Sequence, residues 1–325
     1  MNILLTGGYG FLGQHLYERL KEKNGVLRFR SGEYDLRSAE ETVLAFRGCP
    51  EIVVHLASTV GGIGANQQSP ATFFYDNMLM GLNVIHHSFL TEVKKLVMIG
   101  TVCSYPKFGV IPFREEEIWE GYPEETNAPY GVAKRALMVM LRAYYEQYGL
   151  RGFTIIPTNL YGPGDSFDDA RSHVVPALIK KFVDAVETRS EEVVVWGDGF
   201  ATREFLYVKD AAQVISMLVD KYDGTDPINI GSGYEVQIQE LSRTIAKLTG
   251  FEGRITFDTG RPSGQPRRRV STERLEKVIG SWKVTSLSGG LEQTIAWYKE
   301  QVHGRDNNDS QRPEASNEAV LEGVV

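Results

Sequence analysis

Asn2-Ile-Leu-Leu-Thr6 runs directly into Gly7-Gly-Tyr-Gly-Phe-Leu-Gly13, and this junction decides the fold. The first segment is a short apolar run of strand character. The second sets glycines at 7, 10 and 13 ahead of an amphipathic stretch over residues 12–22. Glycines at that spacing suit a tight turn, close backbone approach to a pyrophosphate and tight helix–strand packing. The helix that follows offers free N–H groups and a positive dipole end to an anion. A glycine-rich turn can also be purely structural. Its place at the first strand-to-helix junction favours a dinucleotide.

Outward from this point, apolar runs at 26–30, 52–57, 96–100 and 153–157 alternate with helical periodicity over 70–91 and 130–148. That βαβ rhythm predicts an α/β fold with a Rossmann-type doubly wound parallel sheet. Beyond about residue 165 helical stretches at 174–186, 210–221 and 239–249 mix with short strands at 193–196 and 227–230. The expectation is a cofactor-binding domain over 1–165, whose sheet later segments complete, and a smaller mixed α/β substrate-binding lobe over 166–302. A disordered tail is expected over 303–325, which is rich in Asn, Asp, Ser and Glu.

Composition narrows the class. Hydrophobic residues make up 42% of the 325, and charged residues 24%, ordinary values for a soluble globular chain. No apolar run is long enough to span a bilayer, and the N-terminal segment lacks a basic signal-peptide region. The expectation is a cytoplasmic protein with no membrane partner. A net charge of −7 disfavours nucleic acid. Two cysteines, Cys49 and Cys103, make neither a disulfide framework nor a metal site on their own.

The end of the second strand tells which dinucleotide is favoured. An NAD site places a carboxylate there for the ribose 2′-OH, whereas this chain reads Leu27-Arg28-Phe29-Arg30-Ser31. Arg30 and Ser31 suit a 2′-phosphate, so NADP is expected, with Asp35 and Leu36 near the adenine. Tyr130-Gly-Val-Ala-Lys134 then puts a phenol and an ammonium on one helix face, where the cation favours the phenolate. Such a pair is cheap by itself: Tyr17 and Lys21 repeat it on what reads as a solvated face. Thr101, directly after the strand at 96–100, can complete a Thr/Tyr/Lys triad.

The glycine loop, strand-end hydroxyl and Tyr-x-x-x-Lys, in this order, resemble the extended short-chain dehydrogenase/reductase superfamily over roughly residues 1–300. Within it the chain is similar to the GDP-L-fucose synthase family. The residues carrying this are Val60-Gly-Gly-Ile-Gly-Ala-Asn66, Cys103-Ser-Tyr-Pro-Lys107, Thr126-Asn-Ala-Pro-Tyr-Gly-Val-Ala-Lys134 and Pro157-Thr-Asn-Leu-Tyr-Gly-Pro163. Ser172-His-Val-Val-Pro176, Val195-Trp-Gly-Asp-Gly199 and Arg203-Glu-Phe205 complete the set. The resemblance implies NADPH-dependent inversion at C3 and C5 and reduction at C4 of a GDP-4-keto-6-deoxyhexose, by a homodimer paired through the helices at 70–91 and 130–148.

Residue by residue, the resemblance makes Cys103 the base and His173 the acid of the inversions, with Thr101, Tyr130 and Lys134 as the reducing triad. It implies cofactor contacts from Gly7, Gly10, Phe11, Gly13, Leu56, Ala57, Lys134, Pro157, Asn159, Leu160 and His173, beside Arg30, Ser31, Asp35 and Leu36. Lys107, Asn159, Lys181, Trp196, Arg203 and Arg267 are the expected substrate contacts. His173, Lys107 and the strand-end location are candidates for activating the Cys103 thiol. Without the family, Cys103 reads as a small buried hydrophobe and His173 as a surface residue. The chain departs from the family at Tyr9, Thr101, Gly164, Ser166 and Ser263. Two rival readings remain, a reductase/epimerase of another keto sugar, such as the GDP-colitose type, and an idle NADP-binding scaffold or redox sensor.

Overall fold

Six parallel strands form the central sheet of the computed structural model, which describes residues 1–168, 172–261 and 264–309. They are β1 (Asn2–Thr6), β2 (Gly25–Leu27), β3 (Ile52–His55), β4 (Lys95–Ile99), β5 (Gly152–Pro157) and β9 (Ile228–Ile230), in the order β2-β1-β3-β4-β5-β9. β1, β3, β4 and β5 are apolar and almost wholly buried, as a parallel sheet covered on both faces requires. On one face lie α1 (Phe11–Leu20), α7 (Val208–Lys221) and α9 (Glu273–Ile279), packing Leu16, Leu20, Ile215, Leu218 and Leu275 against Ile3, Leu5 and Val54. On the other, α2 (Ala39–Ala45), α4 (Pro70–Leu90) and α5 (Ala128–Tyr148) pack Val84, Ile85, Leu137 and Leu141 against Leu4, Val53 and Leu96. The doubly wound sheet is therefore as expected, and β9 joins it from beyond residue 165.

The lobe has its own core, built around α6 (Val174–Glu187), α8 (Ile238–Thr249) and α10 (Leu287–Asp309). Its strands are β6 (Asn159–Tyr161), β7 (Glu192–Trp196), β8 (Thr202–Tyr207), β10 (Glu235–Gln237), β11 (Arg254–Asp258) and β12 (Arg267–Arg268). β8 pairs with β6 and β12 in parallel and with β10 antiparallel, and β7 pairs with β11. A short helix, α3 (Ile63–Gln68), follows β3 over the cavity described below.

Two expectations change. The second strand stops at Leu27, because β1 pairs it only from Gly25 to Leu27 and the Arg28 guanidinium turns onto the Tyr17 ring, 3.5 Å from its centroid. The tail does not begin at His303: α10 continues helical to Asp309, and residues 310–325 lie outside the described residues.

One buried histidine beneath the sheet's end makes stability depend on pH. His55 on β3 is 1% exposed, and its Nδ1 lies 2.8 Å from Thr6 Oγ1. Burial, with the Lys134 charge adding to it, depresses its pKa from 6.5 to about 3. The unfolded chain therefore takes up this proton first on acidification. The stabilisation is complete above the unfolded value of 6.5 and drains away as pH falls toward 3. Between pH 7 and pH 5 the loss should be about 2 kcal/mol. Urea unfolding at the two pH values should show it, and His55→Gln should remove that part of the pH slope.

Candidate active site

One cavity of about 1430 Å³ runs from the glycine loop, past the carboxyl ends of β3, β4 and β5, to the lobe. At its first end Gly7, Gly10, Phe11 and Gly13 line the wall. Gly7 has φ +67°, and a Cβ there would meet the Ala57 backbone nitrogen at 2.7 Å; a Cβ on Gly13 would collide with Gly7 O. Glycine is required at both positions because backbone packs directly on backbone. Gly10 caps α1 without a side-chain hydrogen bond, which leaves the first turn's N–H groups directed at the cavity.

Arg30, Ser31, Asp35 and Leu36 line the next part, with Leu56 and Ala57. Tyr9 stands where the family carries an arginine, and its ring lies 4.1 Å from the Arg28 and 4.3 Å from the Arg30 guanidinium. Arg28 is further fixed by donating to Gly8 O at 3.0 Å. Asp35 is tied to Arg37 at 2.7 Å, and that hydrogen bond holds its carboxyl below the usual range.

The chemistry-bearing residues meet in the middle. Thr101 follows β4 by two residues, and its Oγ1 caps the turn by accepting the Cys103 N–H at 3.1 Å. Thr101, Cys103, Tyr130 and His173 all line the cavity, as do Pro157, Asn159 and Leu160. Ser58, beside Thr101, also lines this part of the cavity with Tyr130. Lys134 lies one turn behind it, 5.8 Å from the ring centroid, 3% exposed and away from the wall. Burial pushes the Lys134 pKa down to about 8. It also raises the Tyr130 hydroxyl, opposed by the polar hydroxyls of Ser58 and Thr101. The downward shift expected from the neighbouring ammonium is absent, and desolvation dominates. His173 opens onto the cavity but is enclosed by protein, which lowers its pKa.

The lobe supplies Lys181, Trp196 and Arg203. Lys181 Nζ is 5.6 Å from the Trp196 ring centroid, and it donates to Val194 O at 2.9 Å. Burial, followed by the repulsion of Arg268, lowers the Arg203 pKa to about 9.

Two expected substrate contacts fall elsewhere. Lys107 and Arg267 line a separate surface groove of about 450 Å³. Lys107 pairs with Glu125 at 2.7 Å, and Arg267 pairs with Glu235 on β10. Strand alternation explains the second case: β12 turns Arg267 outward and its neighbour Arg268 into the cavity. Arg268 Nη1 donates to Cys103 Sγ at 3.4 Å, and its Nε donates to Gln265 Oε1 at 3.2 Å. Gln265 in turn donates to Lys107 O at 2.8 Å. Arg268, not Lys107, is therefore the cation at the thiol. Gln265 and Ser58 carried no signal in the sequence, whereas Arg268 was hidden in a triple arginine run. Of the departures from the family, Ser263 lies outside the described residues. Among the described residues, no group of three or more His, Cys, Asp or Glu side chains could hold a metal ion.

Comparison with known proteins adds a family. The NAD dependent epimerase/dehydratase family matches residues 3–231. The chain is 40% identical over 307 residues to GDP-L-fucose synthase 1 of Arabidopsis thaliana, covering 93% of this chain and 94% of that one. It is 35% identical over 314 residues to GDP-L-colitose synthase of Yersinia pseudotuberculosis, covering 95% and 100%. A crystal structure of a GDP-L-fucose synthetase from Naegleria fowleri bound to NADP superposes with a TM-score of 0.85 at 29% identity, covering 93% and 95%.

The Arg268 contact can be tested on the thiol itself. A guanidinium donating to sulfur supports negative charge there. In a Cys49→Ser background, Arg268→Met should slow alkylation of Cys103 by iodoacetamide about tenfold or more, the worth of one charge-assisted hydrogen bond. Arg267→Met should leave the rate unchanged.

Proposed function

The chain belongs to the NAD dependent epimerase/dehydratase family, in its GDP-L-fucose synthase branch, and from that premise we propose that it converts GDP-4-keto-6-deoxy-D-mannose to GDP-L-fucose. The observation that carries this reading is the convergence of Thr101, Cys103, Tyr130 and His173 on the cavity that begins at the glycine loop. The enzyme is an NADPH-dependent epimerase/reductase. The glycine cradle, the uncapped start of α1 and Arg30 with Ser31 fit a dinucleotide with a 2′-phosphate. When bound, the cofactor supplies a hydride for C4.

The 4-keto group makes the hydrogens on C3 and C5 acidic. Cys103 removes each as a proton, with Arg268 supporting the thiolate. His173 returns a proton to the opposite face, its lowered pKa making the imidazolium the stronger acid when it forms. Two groups are needed, because a single base returns the proton to the face it left. Tyr130 holds the enolate oxygen during both inversions and gives its proton to O4 in the reduction, while Lys134 orients it from behind. Arg203, Lys181 and Trp196 hold the GDP end, and Asn159 borders the sugar.

In domain terms, residues 1–165 hold the cofactor and 166–302 the substrate. The molecule works as a cytoplasmic homodimer. Phe74, Tyr75, Val139, Tyr145 and Tyr148 leave an exposed apolar face on α4 and α5 that pairing would cover. No helix among the described residues is long and apolar enough to cross a membrane. A second reading, reduction of a dideoxy keto sugar, is favoured by the likeness to the Yersinia colitose synthase; relative rates on the two keto sugars separate them.

Proton NMR of the product formed in heavy water tests the main reading. Deuterium at C3 and C5 with the L-galacto configuration is expected, whereas unchanged substrate beside bound NADPH would refute it. Cys103→Ser should lower deuterium uptake at both carbons by about a hundredfold or more while NADPH still binds. Arg30→Ala should raise the KM for NADPH about tenfold, the value of one charge-assisted contact, and leave that for NADH unchanged.

A further inference from the structure

Gln265 stands between the substrate cavity and the surface groove, 3% exposed and lining both. Its Nε2 donates to Lys107 O at 2.8 Å and to Pro106 O at 3.3 Å, so both amide protons go to backbone carbonyls. The amide orientation follows, because a flipped group would set its oxygen against two other oxygens. Oε1 therefore faces Arg268 and accepts its Nε–H at 3.2 Å. The two carbonyls belong to the segment that leaves Cys103, and that segment is itself fixed. The Lys107 N–H donates to Tyr122 O at 2.9 Å, and Pro106 bridges to Pro123. Arg268 is buried and comes from β12, whose partner β8 sets Arg203 opposite it. Like charge pushes the two guanidinium groups apart. The Cys103 sulfur, a weak acceptor while neutral, meets the same guanidinium at 3.4 Å from Nη1.

We propose that Gln265 is a positioning residue, which ties the Arg268 guanidinium to the segment carrying Cys103 and so keeps a positive charge on the sulfur that acts as base. The inference rests on the role of Cys103 proposed above and deepens it. Gln265 adds no charge and transfers no proton. It fixes one corner of a planar fork, Nε, and the rigid shape of that fork then carries Nη1 to Sγ. Without the tether the guanidinium turns away from Arg203, and the thiolate loses a charge-assisted hydrogen bond. An amide serves here where a carboxylate would not. A carboxylate would neutralise Arg268, and it would face the carbonyl oxygens of Pro106 and Lys107 with no proton to offer.

Alkylation of Cys103 by iodoacetamide tests the tether without any substrate. In the Cys49→Ser background, with melting curves as a folding control, it is followed for the parent, Gln265→Met, Arg268→Met and the double variant. Near neutral pH, Gln265→Met should slow the reaction about fivefold, a part of the loss in Arg268→Met. At alkaline pH, where the thiolate forms in every variant, its rate should return to within about twofold of the parent. A change that only loosened packing would move both rates alike. In the Arg268→Met background, Gln265→Met should change the neutral rate less than about twofold, because the two side chains act as one unit. Arg268→Lys keeps the charge but loses the Nε–H that Gln265 holds, so it should behave like Gln265→Met, and it decides the matter should that variant fail to fold. In turnover, Gln265→Met should lower kcat for deuterium uptake at C3 and C5 about fivefold, while the KM for the GDP-sugar stays within about twofold. A parental neutral rate in Gln265→Met or Arg268→Lys, equal slowing at both pH values, additive losses in the double variant, or an unchanged kcat would overturn the inference. A parent that gives the expected alkylation rates but takes up no deuterium into the sugar would refute the functional reading and leave the tether standing.

Discussion

Backbone meets backbone where β1 hands over to α1, and the whole molecule is arranged around that contact. Gly7 lies against Ala57 at the end of β3, and Gly13 lies against Gly7 O, with no room for a Cβ at either. Because α1 packs on one face of the sheet and α4 on the other, the connections leaving β1 and β3 diverge and open a crevice at the carboxyl ends. Thr6 and His55, hydrogen-bonded to each other, form the floor just below it. A larger residue at Gly7 or Gly13 would part β1 from β3 or lift α1, and the anion-facing helix terminus would move with it.

The lobe is organised by a second constraint, a buried carboxylate. Glu204 on β8 is fully buried, and it accepts the backbone N–H of Gly233 at 2.7 Å and of Val270 at 2.9 Å. Burial raises its pKa, opposed by these hydrogen bonds. The bonds tie β8 to the segment after β9 and to the segment after β12. The pairing of β12 with β8 then sets Arg268 opposite Arg203. Two guanidinium groups held together in a cavity repel each other, a cost that an anion between or beside them offsets. A diphosphate has the charge for that position.

Desolvation outweighs local charge at the reacting centre. Lys134 and Tyr130 are both shifted toward their neutral forms because both are buried. At Cys103 the arrangement is different, since the half-buried sulfur has a guanidinium directly on it.

The residue pattern alone determined the βαβ core, because strand and helix periodicities, glycine spacing and the first junction are local properties that burial on both sheet faces enforces. It also placed Thr101, Tyr130 and Arg30 along the cavity, because each follows a strand or opens a helix whose position in the fold is set by that rhythm. Lys107 and Arg267 were misplaced for the complementary reason. Which face a two-residue strand such as β12 presents depends on its partner β8, more than sixty residues earlier in the chain. Gln265 and Ser58 had no legible signal, since an amide or a hydroxyl acquires a role only from the groups it meets. Tertiary structure alone decided that Arg268 reaches Cys103, 165 residues away. That contact joins segments that have no periodic relation in sequence.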